Sequence, residues 1–143
     1  MATTCTVPTV KAALVSGLTS ALPGQQVSYG WPGDVVKRSC IYIGDVTGRF
    51  DIPTMKAGRK HRDETYAVEV YIGVVLPGKT VEAAETQAFT LLAALEDLLA
   101  NNPGFVSGVN AAVAGEFDVT SGFNAEGAAC AITCKVNVSN RLN

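Results

Sequence analysis

Hydrophobic side chains recur in this chain with two periods, and the switches between them mark its elements. In PTVKAALVSGLTSAL, Val10, Leu14, Leu18 and Ala21 or Leu22 fall three to four residues apart, the period of a helix packed along one side. Pro8 suits its first turn and Pro23-Gly24 ends it. Val27 and Tyr29 suggest a short strand closed by Gly30, Pro32 and Gly33, and RSCIYIGDV a second. The clearest strand is ETYAVEVYI. It places Tyr66, Val68, Val70, Ile72 and Val74 on one face and Thr65, Ala67, Glu69, Tyr71 and Gly73 on the other. A long helix follows. Thr80 is its N-cap, Glu82 favours its dipole, and Val81, Ala84, Ala88, Leu91, Leu92, Leu95, Leu98 and Leu99 form a wide apolar stripe. Two last strands, about Val109 to Val119 and Ala128 to Val138, are joined by SGFNAEG as a hairpin loop.

Between Val46 and Arg62 no period survives, and Gly48, Pro53 and Gly58 punctuate the stretch. It reads as a long loop, and such loops tend to be functional or mobile. It carries Arg49 as well as Lys56, Arg59, Lys60 and Arg62, the last four clustered among only 11 lysines and arginines. Nucleic-acid binding is the sharp reading. A solvated loop answered by Asp51, Asp63 and Glu64 is the plainer one, and no interleaved aromatics favour the first.

The order helix, strand, strand, strand, helix, strand, strand predicts an α+β fold: two helices on one face of a mainly antiparallel sheet of about five strands. The 143 residues suit a single domain spanning 1–143, with a long loop at about 46–62. Composition agrees with a packed core, at 48% hydrophobic and 17% charged. The net charge of -2 makes no case for a nucleic-acid or anionic-membrane partner, and no apolar run approaches the ~20 residues of a membrane span. No basic segment precedes an apolar core at the N-terminus, so no secretory signal is expected.

GVVLPGKT, Gly73 to Thr80, fits the phosphate-loop pattern G-x-x-x-x-G-K-[ST]. Phosphate loops curl successive backbone N–H groups around an anion. Here Val74 and Val75 resist that curl, and Pro77 has no N–H to offer. The peptide reads better as a strand end, a Pro-Gly turn and a capped helix. A small P-loop-like nucleotide-binding protein is therefore the weakest alternative. The one histidine, His61, and four cysteines supply no zinc spacing. Cys130 and Cys134 lie about 13 Å apart on one strand, too far for a disulfide, and the cysteines read as buried thiols. No catalytic, cofactor-binding or metal residue is assigned, and the chain reads as a non-enzyme.

VKAALVSGLTSAL followed by VSYGWPGD, then IYIGDV, ETYAVEVYI, GKTVEAAETQAFTLLAALEDLL and FVSGVNAAVAGEFDV, resembles the tail terminator (tail completion, head–tail joining) proteins of long-tailed bacteriophages. The likeness covers roughly Val10 to Val119 and rests on diffuse patterns, without a catalytic signature. It implies a structural virion protein at the tail–neck junction, assembled in the host cytoplasm. Such proteins form a ring, typically a hexamer, on the head-proximal end of the tail tube, ending tube polymerisation and joining tail to neck. The partners implied are further copies of the chain, the tail tube protein, a neck or connector protein, and genomic DNA passing through the lumen without specific binding. Near-neutral charge suits such a conduit. Another head–tail connector or neck protein is the main alternative, and a DNA-binding or host-directed protein led by the basic loop is a third. On this reading Trp31, Arg49, Lys56, Arg59, Lys60, Arg62, Glu69 and Tyr71 are the expected assembly contacts. The loop Gly48–Arg62 is expected to order on assembly, and Trp31 and Tyr29 to lie near the edge that carries Tyr71.

Overall fold

A computed structural model describes residues 5–33, 38–52, 58, 61–102 and 111–142. In chain order the elements are α1 (Val7–Ala21), β1 (Gln26–Ser28), β2 (Ser39–Asp51), β3 (Arg62–Leu76), α2 (Val81–Asn101), β4 (Ala111–Asn124) and β5 (Gly127–Leu142). The fold is α+β. Five strands form one sheet in the order β1-β2-β3-β5-β4. Every pairing is antiparallel except that of β1 with β2, which is parallel. Because β5 lies between β3 and β4, α2 carries the chain across one strand on the helix side, as a parallel crossover requires.

The core lies between the helices and one sheet face. Val10, Leu14 and Leu18 of α1 and Ala84, Ala88, Leu91, Leu92, Leu95 and Leu99 of α2 are buried there. They meet Tyr66, Val68, Val70, Ile72 and Val74 of β3 and the alternating inward residues of β5. The expected N-cap is present: Thr80 accepts a hydrogen bond from the Ala83 N–H at 3.1 Å. The α1 helix ends at Ala21, ahead of Pro23-Gly24 as expected.

Two expected loops are shorter than the sequence suggested. The first was placed at 46–62, yet β2 continues to Asp51, pairing Arg49 with Thr65, Phe50 with Glu64 and Asp51 with Asp63, while Arg62 opens β3. The expectation that Gly48 to Arg62 is loop throughout is corrected for Gly48–Asp51 and Arg62. The period failed for two reasons. A bulge between Ile43 and Val46 shifts the alternation by one residue, and beyond it the strand is exposed from Thr47 onward, so neither face needs to be apolar. Lys56, Arg59 and Lys60 lie outside the described residues. The second loop, SGFNAEG, is mostly strand: β4 runs to Asn124, whose side chain accepts from the N–H groups of Glu126 at 2.8 Å and Gly127 at 3.1 Å and so fixes a tight turn.

The stretch GVVLPGKT is not built as a phosphate cradle. Gly73 to Leu76 pair with Ala131 to Ala128 in the ladder, and Val75 N–H donates to Arg38 C=O at 2.7 Å. Gly78, at φ +71°, makes the turn, and Thr80 caps α2.

Candidate assembly surface

Both helices cover the same face of the sheet, so the other face depends on its own side chains. Tyr42 and Tyr71 stand directly opposite across β2 and β3, and their rings stack at 4.9 Å with planes 22° apart. Trp31 meets Tyr42 edge-on at 5.2 Å. This geometry requires Gly44, because a Cβ there would fall 2.0 Å from the Tyr71 ring. The Tyr71 hydroxyl donates to Glu69. That bond, reinforced by desolvation and the Glu69 charge, pushes the Tyr71 phenol up to about 12. Lys11 lies over the Tyr29 ring, 4.6 Å from its centre. Below the stack is a cleft of about 240 Å³ between Trp31, Arg38, Cys40, Tyr71, Gly73 and Thr133.

Of the residues singled out in the sequence, Trp31, Glu69 and Tyr71 thus come together. Trp31 is 64% exposed, so it does not plug the core. Arg49 and Arg62 do not join them. They sit toward the far end of the β2–β3 ladder, about 20 Å (Arg49) and about 30 Å (Arg62) from Tyr71 by strand rise. There Arg49 pairs with Asp51 at 3.2 Å, and Arg62 lies 5.9 Å from the centre of the Phe50 ring. Beside them Arg141 grips Asp63 at 2.8 Å and holds its carboxyl below the usual range.

A second exposed surface escaped the sequence reading. At the opposite sheet edge Phe117, Val119 and Phe123 of β4 point to the helix side, but α2 does not reach far enough to cover them. Phe89 of α2 meets Phe117 edge-on at 6.5 Å, and Ser121 Oγ donates to Glu85 at 2.6 Å. The signal was the alternation of Phe117, Val119, Ser121 and Phe123, which runs on into the expected loop SGFNAEG.

The sequence also gave no sign of a buried polar cluster where the N-terminal segment meets β3 and β5. Glu64, 1% exposed, accepts from the Thr6 hydroxyl, from Thr6 N–H at 3.2 Å and from Asn140 Nδ2 at 3.5 Å. Thr6 Oγ1 also lies 2.9 Å from the Tyr66 hydroxyl. Burial pushes the Tyr66 phenol up to about 12. The cluster ties Thr6 to the sheet, and Glu64 and Tyr66 also line a cleft of about 190 Å³ with Cys5, Val7, Arg49 and Phe50. Three cysteines are buried, as expected, but Cys5 is exposed. Burial raises the Cys40 and Cys134 thiols, which makes them poor nucleophiles. Among the described residues no three His, Cys, Asp or Glu side chains converge as metal ligands. No described helix is long and apolar enough to cross a membrane.

No family model matches this chain. No curated protein matches it either. Among solved structures it is similar to a chain described as part of the "Virion of native gene transfer agent (GTA) particle". The TM-score is 0.59 at 12% identity, over 92% of this chain and 93% of that one. At that identity the likeness concerns the fold, and it extends over nearly the whole length of both chains.

Proposed function

We propose that the chain is a structural protein of a phage-like virion and acts as a tail terminator. It forms a ring, a hexamer on this reading, on the head-proximal end of the tail tube, stops tube growth and joins the tail to the neck. The observation that carries this reading is the near end-to-end fold similarity to a chain of a gene transfer agent virion. The exposed aromatic surfaces on the outer face over β2 and β3 and at the β4 edge support it, since a monomer has no use for them and a cyclic assembly buries a repeated contact. Trp31, Glu69 and Tyr71 are its proposed assembly contacts, with Arg49, Lys56, Arg59, Lys60 and Arg62 as a second group toward the tube or neck. No step of this role requires catalysis or a cofactor.

The test is assembly without the chain. Particles lacking it should carry tails of uncontrolled length, or tails detached from heads, in negative-stain micrographs. Adding the purified chain before tubes overgrow should restore joining. Tails of normal length attached to heads in its absence would overturn the reading. Normal tails with unjoined heads would favour a connector one step nearer the head.

A further inference from the structure

Resting on that ring reading, we propose that the β4–β5 hairpin of one copy docks into the cleft beside Trp31 of the next, with Phe123 inserted and Glu126 facing Arg38. The two surfaces differ in shape. Phe123 is 74% exposed, the most exposed large apolar side chain described, and stands at a tip held by the Asn124 hydrogen bonds. A tip fixed before binding loses little entropy on docking. The cleft, at about 240 Å³, has room for an aromatic ring; an apolar cavity of about 150 Å³ already accepts benzene.

Their charges also differ. The α2 helix and β4 with its turn carry Glu82, Glu85, Glu96, Asp97, Glu116, Asp118 and Glu126, and no lysine or arginine. From Cys5 to Ser39 the sequence carries Lys11, Lys37 and Arg38 against Asp34 alone. Among the described residues lining the cleft, Arg38 is the one charged side chain, and Glu126 in the turn beside Phe123 is its opposite in sign. Asp45 and Glu69 border the neighbouring Tyr71 surface as opposing charges, outside the cleft lining itself.

Their positions suit a ring. The tip stands at the β4 edge, whereas the cleft lies over β2, β3 and β5 on the face away from the helices, so the two surfaces are different and the contact is heterologous. They also lie near the same end. Phe123 pairs with Ala128, and Gly73 with Ala131, three residues along β5 and about 10 Å by strand rise. Little displacement along the strands separates donor from acceptor, which favours closure over an open spiral.

The experiment uses the purified full chain and two variants. Phe123→Glu removes the knob from an exposed turn. Gly73→Leu fills the cleft at a site where a Cβ would come no nearer than 3.8 Å, to Cys40 Sγ. Native mass spectrometry at about 0.1 mM, where even weak contacts are populated, reads the oligomer, and circular dichroism checks the fold. Wild type should give rings and each folded variant alone only monomer. An equimolar mixture should give 1:1 heterodimers, because one intact donor then meets one intact acceptor. Should either variant misfold, the Arg38→Glu and Glu126→Arg pair serves the same test: each alone loses the ring and the double variant regains it. Rings persisting in the variants would overturn the contact while leaving the ring reading intact. A wild-type monomer at this concentration would overturn both.

Discussion

On the helix side of β3 the residues Tyr66, Val68, Val70, Ile72 and Val74 are each at most 4% exposed, whereas on the opposite side none of Thr65, Ala67, Glu69, Tyr71 and Gly73 is buried. One strand therefore serves two environments. The inner face is apolar because two helices exclude water from it, and burial there supplies the main stabilisation. The outer face is stabilised by lateral contacts: the Tyr42–Tyr71 stack, the Tyr71–Glu69 hydrogen bond and the Arg141–Asp63 ion pair. Such contacts fix side-chain positions without excluding water. That combination, a rigid pattern still open to solvent, suits a surface meant to meet another subunit.

The contrast can be broken from the inside with the largest effect. Leu95→Ala, at a fully buried position of α2, should cost about 2–5 kcal/mol in chemical denaturation, through lost transfer energy and a residual cavity. The buried polar cluster comes next. Thr6→Ala takes the hydroxyl donor from the buried Glu64 carboxylate and should cost about 1.5–3 kcal/mol, the range for hydrogen bonds to charged groups. On the outer face Trp31→Ala should cost the monomer less, about 0.5–1.5 kcal/mol for one edge-on aromatic contact, while its larger effect appears in ring formation. A core-sized loss at Trp31 would show that the outer face also anchors the fold.

The smallest effect separates the two faces by titration. Tyr66 and Tyr71 should both ionise near pH 12, followed by phenolate absorbance, but for different reasons. Glu69→Gln removes the charge beside Tyr71 and should lower that phenol toward its ordinary 10, leaving Tyr66, raised chiefly by burial, near 12. The sign for stability follows from both folded values lying above the unfolded one. The contribution is intact below about pH 10 and is lost as pH rises toward and through 12. If both tyrosines moved in Glu69→Gln, the two environments would not be independent.

The inner half of this design was legible in the sequence. Periods of 3.6 and 2 gave both helices, the N-cap at Thr80, the core side of β3 and the α+β arrangement, because burial imposes a period. What burial does not impose stayed hidden. Beyond the bulge at Gly44-Asp45, β2 is open to solvent and lost its alternation, so its end read as loop. The parallel pairing of β1 with β2 defied the expectation for neighbouring strands, and nothing local marks it. Phe123 was read as loop because a seven-residue polar stretch contained it, although Asn124 turns the chain within two residues. Trp31, Glu69 and Tyr71 are legible as candidates in the sequence, but the cleft that Trp31 and Tyr71 border depends on Gly73 and Arg38, brought together only by folding.

The central claim is that the surfaces left open by the helices join copies of this chain into the ring that ends a tail. Cryo-electron microscopy of the particles that carry the chain tests it most directly, at the junction of head and tail. The account predicts a sixfold ring of this chain on the head-proximal end of the tube, with the Phe123 hairpin of each copy seated against Trp31 of its neighbour. Density for the chain elsewhere in the particle, or at the junction as separate copies without mutual contact, would contradict it.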